Sequence, residues 1–260
     1  MKKLTFIGLL ALIVQTASAQ KFAFSYSDDF NRLRTEAAAP EQAGVNQQNL
    51  DRFVAADTTL KDEEVLKLLI AQTTRSNYQP YNLAFTEVQT GKLNEEGKFA
   101  EALALCDSIL QIFPFSTKAL IEGSFACFKL NKPDSSRNLA IRFNRIMRAV
   151  ARSGTGTDPE HAFFALSPMD PPLFISRFLD AKVGDITTTR DIHNLQVDMV
   201  EMKWPDPSTG QPQSRVLYFY IDHAAQTMSK DVKSASEQKE SPAPQPEIPN
   251  TKKKSGKKEK

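Results

Sequence analysis

Apolar residues recur at helical spacing through the first part of the chain and at strand spacing near its end. The helical pattern is clearest over residues 83–152, where apolar side chains fall at i, i+3, i+4 and i+7. It predicts four consecutive helices, over residues 83–93, 99–113, 119–130 and 135–153. The apolar positions of the third of these include Phe125 and Phe128. Pro114 and Pro133 stand at two of the breaks, because a proline has no amide hydrogen to continue a helix.

Three shorter helices are predicted upstream of this region. The first is capped by Asp28 or Asp29 and ends before Pro40. The second covers the apolar residues between 45 and 54. The third begins at Thr59, a favourable N-cap that acidic residues follow in the first turn. Residues 75–82 break the helical period and are predicted to form an aromatic loop.

The chain changes in character after Gly156 and favours strands. Apolar residues alternate over 195–204, and residues 216–221 are rich in β-branched and aromatic side chains. The segment 205–212 between them contains Pro and Gly and predicts an antiparallel hairpin with a long connection. Residues 161–166 fit either a strand or the start of a helix, and Pro171 and Pro172 predict the start of a further helix. These elements predict an α+β protein with a single domain over residues 20–228. The domain is expected to be helical over residues 28–153 and mixed over residues 154–228, where it holds a small antiparallel sheet.

One helix of the N-terminal part is similar to the second half of a tetratricopeptide repeat. Residues 97–102 and the terminating Pro114 carry the similarity, and the small Ala102 permits close helix packing. Thr90 stands where such a repeat has a glycine, and the motif does not restart after Pro133. The sequence therefore predicts a TPR-like helical hairpin within a compact domain, because one repeat cannot build a solenoid.

The first nineteen residues predict export. Lys2 and Lys3 precede an uncharged apolar run over residues 4–14, which is too short to cross a bilayer. Small residues at 17–19 then favour cleavage between Ala19 and Gln20. No cysteine stands near this position, so a lipoprotein is not expected. We expect a secreted or periplasmic protein with no transmembrane segment.

The near-neutral total charge conceals two unlike segments. The 260 residues hold 33 Lys and Arg and 31 Asp and Glu, but residues 20–228 hold 22 basic against 26 acidic residues. Residues 229–260 hold nine Lys against five acidic residues, are rich in Pro, and are predicted to be a disordered tail. A mildly acidic body argues against nucleic-acid binding. The tail either keeps the protein soluble or makes a weak contact with an anionic surface.

The motifs of common enzyme classes are absent from the sequence, and no cofactor or metal is expected. There is no P-loop, no Gly-x-Ser-x-Gly, no His-Glu-x-x-His and no Cys-x-x-Cys. Asp191, His193 and Asp198 either assemble an acid–base or metal site in space or form a solvated strand entry. Residues 154–157 (Gly-Thr-Gly-Thr) either form an anion-binding nest or terminate the preceding helix in a turn, and His161 follows them.

Two further groups of residues are candidates for a binding site and a disulfide. Tyr78, Tyr81 and Phe85 either form an aromatic platform for a partner or fix their loop onto the core. Cys106 and Cys127 lie at equal distances from the turn at residues 114–116, and would stand at one level of an antiparallel hairpin. An oxidising compartment permits a bridge contributing about 3 kcal/mol; the alternative is two buried thiols.

Several short motifs occur in an order that resembles a known family. They are Asp57-Thr58-Thr59-Leu60, Tyr78-Gln79-Pro80-Tyr81, Ser153-Gly154-Thr155-Gly156, His161-Ala162-Phe163 and Leu217-Tyr218-Phe219. Over about residues 25–225 the chain resembles the secreted family, mainly from Bacteroidetes, called domain of unknown function 4919. The resemblance implies an envelope location and a helix-rich α+β fold, and it implies no activity. The tail and the 205–214 loop look like additions to that family's domain.

The sequence favours a non-catalytic protein that binds a protein or peptide partner in the cell envelope. The export signal, the helical hairpin and the missing catalytic motifs support this expectation. The alternative is a hydrolase-like envelope enzyme whose site assembles from scattered histidines and carboxylates.

Overall fold

A computed structural model describes residues 24–206 and 208–228 of the chain. The predicted signal peptide with its Ala19–Gln20 cleavage point, and the predicted tail over residues 229–260, lie outside the described residues.

Seven helices over residues 26–152 form the first part of the described chain. They are α1 (Tyr26–Ala38), α2 (Ala43–Val54), α3 (Asp62–Gln72), α4 (Pro80–Glu95), α5 (Phe99–Ile112), α6 (Thr117–Lys129) and α7 (Pro133–Arg152). All four predicted helices of the 83–152 region are confirmed, although α4 begins three residues earlier than predicted because Pro80 occupies its first turn. The predicted N-cap Thr59 is wrong. The helix α3 begins at Asp62, and the Glu64 carboxylate accepts a hydrogen bond from the Lys61 amide.

Helices α4 to α7 are joined by short turns, and each packs against its neighbour, with α6 also contacting α4. Gly123 of α6 permits one close approach, because a Cβ there would lie 3.2 Å from both Cys106 Cβ on α5 and Leu139 Cδ1 on α7. The predicted helical hairpin is therefore present as part of a continuous helical layer.

The second part holds a four-stranded mixed sheet and short helices. Its elements are β1 (Phe163–Phe164), α8 (Asp170–Leu173), which continues as a π-helical turn over Phe174–Phe178, then β2 (Lys182–Arg190), β3 (Gln196–Pro205) and β4 (Pro212–Tyr220). Residues 222–228 are helical. The strand order is β1-β4-β3-β2, with β1 parallel to β4 and the other pairs antiparallel. The predicted hairpin is β3–β4, with Pro205 opposite Pro212.

One continuous hydrophobic core joins the helices to the sheet. Phe163 of β1 lies between Phe174 and Phe219, with ring centroids 5.1 and 5.5 Å apart, and Tyr26 of α1 stacks on Tyr220 of β4 at 4.2 Å. The α+β class with a helix-rich N-terminal part is confirmed. Within residues 24–206 and 208–228, no helix has the length and apolar character needed to span a bilayer.

Candidate functional site

The three aromatic residues proposed as a platform differ in exposure. Tyr78 is buried, and its hydroxyl donates a hydrogen bond to the Leu166 carbonyl oxygen at 2.6 Å. Tyr81 is half-buried against the core, whereas Phe85 on α4 is 81% exposed. Tyr78 therefore fixes its loop onto the core, and Phe85 stands at the surface of α4, one turn from Tyr81 and near the exposed Val88.

His223 is a core residue and not a ligand-binding one. Its ring stacks on Phe164 at 4.7 Å, lies near Phe30 and Tyr78, and its Nδ1 is hydrogen-bonded to the Tyr26 hydroxyl at 2.9 Å. Burial lowers the pKa of His223 to about 3, so the imidazole is neutral over the physiological range.

The other two histidines lie at the surface and serve turns. Asp191 accepts hydrogen bonds from the amides of His193 and Leu195 and from the Tyr220 hydroxyl, so its carboxylate organises a turn. Asp158 accepts from both the amide and the ring Nδ1 of His161, and thereby caps a short 3₁₀ helix. Across residues 24–206 and 208–228, no group of three His, Cys, Asp or Glu is arranged to hold a metal ion.

The glycine-rich turn after α7 is closed on itself and offers no nest for an anion. The amides of Thr155 and Gly156 both donate to the His161 carbonyl oxygen, at 3.0 and 2.8 Å. Gly154 packs so closely that a Cβ would lie 2.5 Å from the Ala162 carbonyl oxygen. The segment therefore terminates α7 in a turn, which was the alternative to an anion site.

Cys106 and Cys127 carry free, buried thiols. Burial raises the pKa of the Cys106 thiol to about 12, and the nearby Glu122 carboxylate adds to the effect. We therefore expect two thiols per chain to react in the denatured, unreduced protein, and slow reaction in the native protein. A colorimetric thiol count with and without prior reduction measures this, and zero thiols before reduction would establish the bridge instead.

The first candidate surface is a groove on the helical layer, called here the α4–α6 groove. It encloses about 520 Å³ between α4, α6, the first turn of α7 and the π-helical turn, and its lining residues are Gly91, Asn94, Glu95, Ile121, Glu122, Ser124, Phe125, Phe128, Ser136 and Arg177. Phe125 and Phe128 are 43% and 68% exposed, so the groove presents a large apolar surface to solvent.

The base of the α4–α6 groove is polar and ordered. Asn94 Nδ2 donates to Glu122 Oε2 at 2.8 Å and to the Glu122 carbonyl oxygen at 3.0 Å, while Lys118 Nζ pairs with Glu122 Oε1 at 2.6 Å. Gly91 makes room for this pair, because a Cβ there would lie 3.0 Å from Lys118 Nζ. The Asn94 Oδ1 atom is buried and has no hydrogen-bond partner. The groove thus combines exposed aromatic side chains with an ordered polar base.

The second candidate surface is a cleft of about 670 Å³ at the C-terminal end of α7, called here the α7 cleft. Arg148 and Arg152 on α7 both contact the Asp62 carboxylate at 3.3 Å, and Arg145 approaches it to 3.7 Å. Asp62, Arg148 and Arg152 line the cleft, and the other lining residues are Phe24, Ser25, Tyr26, Ala151, Ser153, Gly154, Thr155, Glu160, His161 and Ala162. The lining therefore combines two arginines and two carboxylates with apolar side chains.

Two buried carboxyl groups lie deeper, at the N-terminus of α6. Glu87 accepts a hydrogen bond from Ser116 at 2.5 Å, and Asp170 accepts from Thr117 at 2.7 Å and from the Ser167 amide at 2.9 Å. Burial raises the pKa of Glu87 to about 7 and that of Asp170 to about 6, and the Asp170 charge further raises that of Glu87. Both are almost fully buried, so they act on stability and not on a ligand.

Three comparisons with known families, proteins and structures were informative to different degrees. A family model described as a domain of unknown function (DUF4919) matches residues 44–228 of the chain. No curated protein and no solved structure matches it.

Proposed function

The chain belongs to the family defined by the domain of unknown function DUF4919, and we propose that it is a non-catalytic interaction protein that binds a peptide segment of a protein partner in the α4–α6 groove. The exposure of Phe125 and Phe128 in a preformed groove is the observation that carries this proposal. The export signal that the sequence predicts supports an interaction in the cell envelope, either in the periplasm or outside the cell, as part of the same proposal.

A peptide fits the chemistry of this groove better than a compact polar metabolite does. Phe125 and Phe128 stand one helical turn apart on α6, and together with Ile121 they form an apolar strip that covers the side chains of a bound segment. Phe125 is held in place by an edge contact with Phe99 and by Lys129 over its ring, so its ring is ordered before binding.

The polar base keeps the groove ordered. Asn94 is fixed by two hydrogen bonds to Glu122, and Glu122 is paired with Lys118. The remaining acceptor, Asn94 Oδ1, is buried, so it does not reach a ligand. The aromatic strip therefore carries the binding, and the ordered base keeps that strip preformed.

We expect Phe128→Ser to weaken peptide binding at least tenfold, because it removes the most exposed apolar contact of the groove without creating a cavity in the core. The peptide is first selected from a random library displayed on phage against the purified protein. Its dissociation constant is then measured by isothermal titration calorimetry for the wild type and the variant.

Two matched variants locate the binding surface. Ile112→Ser removes an exposed apolar residue of α5 outside the groove and is expected to leave the dissociation constant unchanged. Phe85→Ser tests the surface that the sequence suggested. Loss of binding in Phe85→Ser with no effect of Phe128→Ser would place the partner elsewhere and contradict the groove.

A further inference from the structure

The α7 cleft carries arginine side chains whose hydrogen-bonding capacity is largely unused. Arg148 and Arg152 are each 57% exposed at the side chain, and each contacts Asp62. A guanidinium group has five N–H donors, whereas Asp62 is one carboxylate shared with Arg145 as well. Both arginines therefore keep donors that point away from Asp62 and are open to solvent.

Two of the three guanidinium groups around Asp62 line the cleft. They belong to Arg148 and Arg152, and the carboxylates that line the cleft with them are Asp62, which both arginines contact, and Glu160. Arg148 and Arg152 stand one turn apart on the same helix face, which is a spacing that permits both to contact one oxyanion. The positions of both side chains are fixed in advance by their shared contact with Asp62.

The adjoining wall is apolar and well packed. Tyr26 is buried, stacks on Phe30 at 4.6 Å and on Tyr220 at 4.2 Å, and lines the cleft together with Phe24 and Ala162. The cleft volume of about 670 Å³ lies in the range of small-molecule sites, and such sites combine apolar walls with a few polar groups that fix orientation.

We propose that the α7 cleft is a binding site for a small organic monocarboxylate, with the carboxylate held by Arg148 and Arg152 and the apolar body against Phe24 and Ala151, which line the cleft and are only partly buried. Arginine pairs bind both carboxylates and phosphates. Glu160 also lines the cleft and adds a negative charge, which favours a singly charged ligand over a phosphate dianion. This site is separate from the α4–α6 groove, so it does not depend on the proposed function.

Three probes that differ only in their head group test the site. Phenylacetate, phenyl phosphate and 2-phenylethanol are titrated into the purified, ¹⁵N-labelled protein, and binding is followed by the amide shifts of Ser153 and Thr155. We expect phenylacetate to bind at least tenfold more tightly than 2-phenylethanol and more tightly than phenyl phosphate. Equal binding of the neutral alcohol, or tighter binding of the phosphate, would overturn the proposal.

The double variant Arg148→Gln/Arg152→Gln shows whether the arginines carry the binding. It is expected to weaken phenylacetate binding at least tenfold, whereas Arg137→Gln, at an exposed position of α7 away from the cleft, is expected to have no effect. The unfolding midpoint of each variant establishes that it is folded. If the double variant is unfolded, Arg148→Lys and Arg152→Lys are used singly, because each keeps the charge and loses the planar donor pair. Unchanged affinity in folded variants would overturn the site.

Discussion

Replacing Gly156 by alanine is expected to lower the free energy of unfolding by about 3 kcal/mol or more, one of the two largest effects that we predict for a single substitution in this protein. Two costs combine at this position. Gly156 has φ +64°, in the left-handed region that costs an L-residue about 1 kcal/mol, and an added Cβ would overlap the Cε2 and Cδ2 atoms of the Phe163 ring.

Neither side of this contact is able to move freely. Phe163 is buried between Phe174 and Phe219, so its ring has no empty space to enter. The Gly156 backbone is held by its amide, which donates to His161 O at 2.8 Å, and by its carbonyl, which accepts from the Tyr218 amide at 3.1 Å. The turn that closes α7 is therefore coupled to strand β4.

Two other glycines separate these costs. Gly97 also has positive φ, +75°, but nothing lies within 4 Å of its added Cβ, so Gly97→Ala is expected to cost only about 1 kcal/mol. Gly44 lies within α2 with equally open space, and Gly44→Ala is expected to stabilise the protein by up to about 1 kcal/mol. Urea unfolding of the three variants measures all of these values. If Gly156→Ala lowers the free energy of unfolding by no more than Gly97→Ala does, the Phe163 ring moves aside without a measurable cost, and the prediction is wrong.

The sequence predicts elements well where burial leaves a periodic apolar pattern, and it misses them where burial is slight. Helices α5 to α7 and the β3–β4 hairpin are of the first kind. Helix α4 is not, because most of its buried residues are polar. Strand β2 is of the second kind: it lies at the sheet edge, most of its residues are exposed, and a bulge interrupts its pairing between Val183 and Ile186. Gly184 and Asp185, both poor strand formers, stand at that bulge. No alternating pattern exists there to be found.

The candidate sites were harder to predict because they depend on contacts between distant residues. The Tyr78 hydroxyl can be buried because it donates a hydrogen bond to the carbonyl oxygen of Leu166, 88 residues away in sequence. The sequence assigns Phe125 and Phe128 to the apolar face of a helix, and the structure places them at the surface. One feature of the sequence indicates this exposure. Helix α6 carries the buried Leu120 and Cys127 on a different side from Phe125 and Phe128, and a helix with apolar residues on two sides can bury only one of them against the core that it packs on.

The arginines of the α7 cleft were also missed. Arg148 and Arg152 fall on the polar face of an amphipathic helix, where charged residues are ordinary. Only the packing of α3 against α7 brings Asp62 to them. Their role therefore depends on tertiary structure, whereas the helix that carries them is predicted from sequence alone.

Replacing Glu87 by glutamine is expected to raise the free energy of unfolding by about 2 kcal/mol at pH 8 and to lower it by about 1 kcal/mol near pH 4.5. The folded-state pKa of Glu87 is about 7, above the ordinary value near 4.5, because burial disfavours the charged form. The folded protein therefore holds this proton more tightly than the unfolded chain does. The contribution of protonated Glu87 to the free energy of unfolding is fully present below about pH 4.5, and it is lost as the pH rises through about 7.

The expected size follows from two opposing contributions. A rise of the pKa to about 7 corresponds to about 3 kcal/mol, at about 1.4 kcal/mol for each pKa unit, and glutamine avoids this cost because it stays neutral. Glutamine keeps an oxygen that accepts from the Ser116 hydroxyl, but its amide nitrogen occupies the place of Glu87 Oε2, which has no partner. The unpaired nitrogen costs about 1 kcal/mol. About 2 kcal/mol of stabilisation remains at pH 8.

Urea unfolding of the wild type and of Glu87→Gln between pH 4.5 and pH 8 measures this difference as a function of pH. Asp170 and His223, with folded pKa values of about 6 and about 3, change the stability of both proteins in the same pH range, and these contributions largely cancel in the comparison. Glu95→Gln, at an exposed position of the same helix, is the matched control and is expected to follow the wild type. If the difference in free energy of unfolding between Glu87→Gln and the wild type is the same at every pH, the Glu87 carboxyl does not titrate in the folded protein over this range. That result would contradict the prediction, because the charge of Glu87 would then be stabilised in the folded protein by groups other than Ser116.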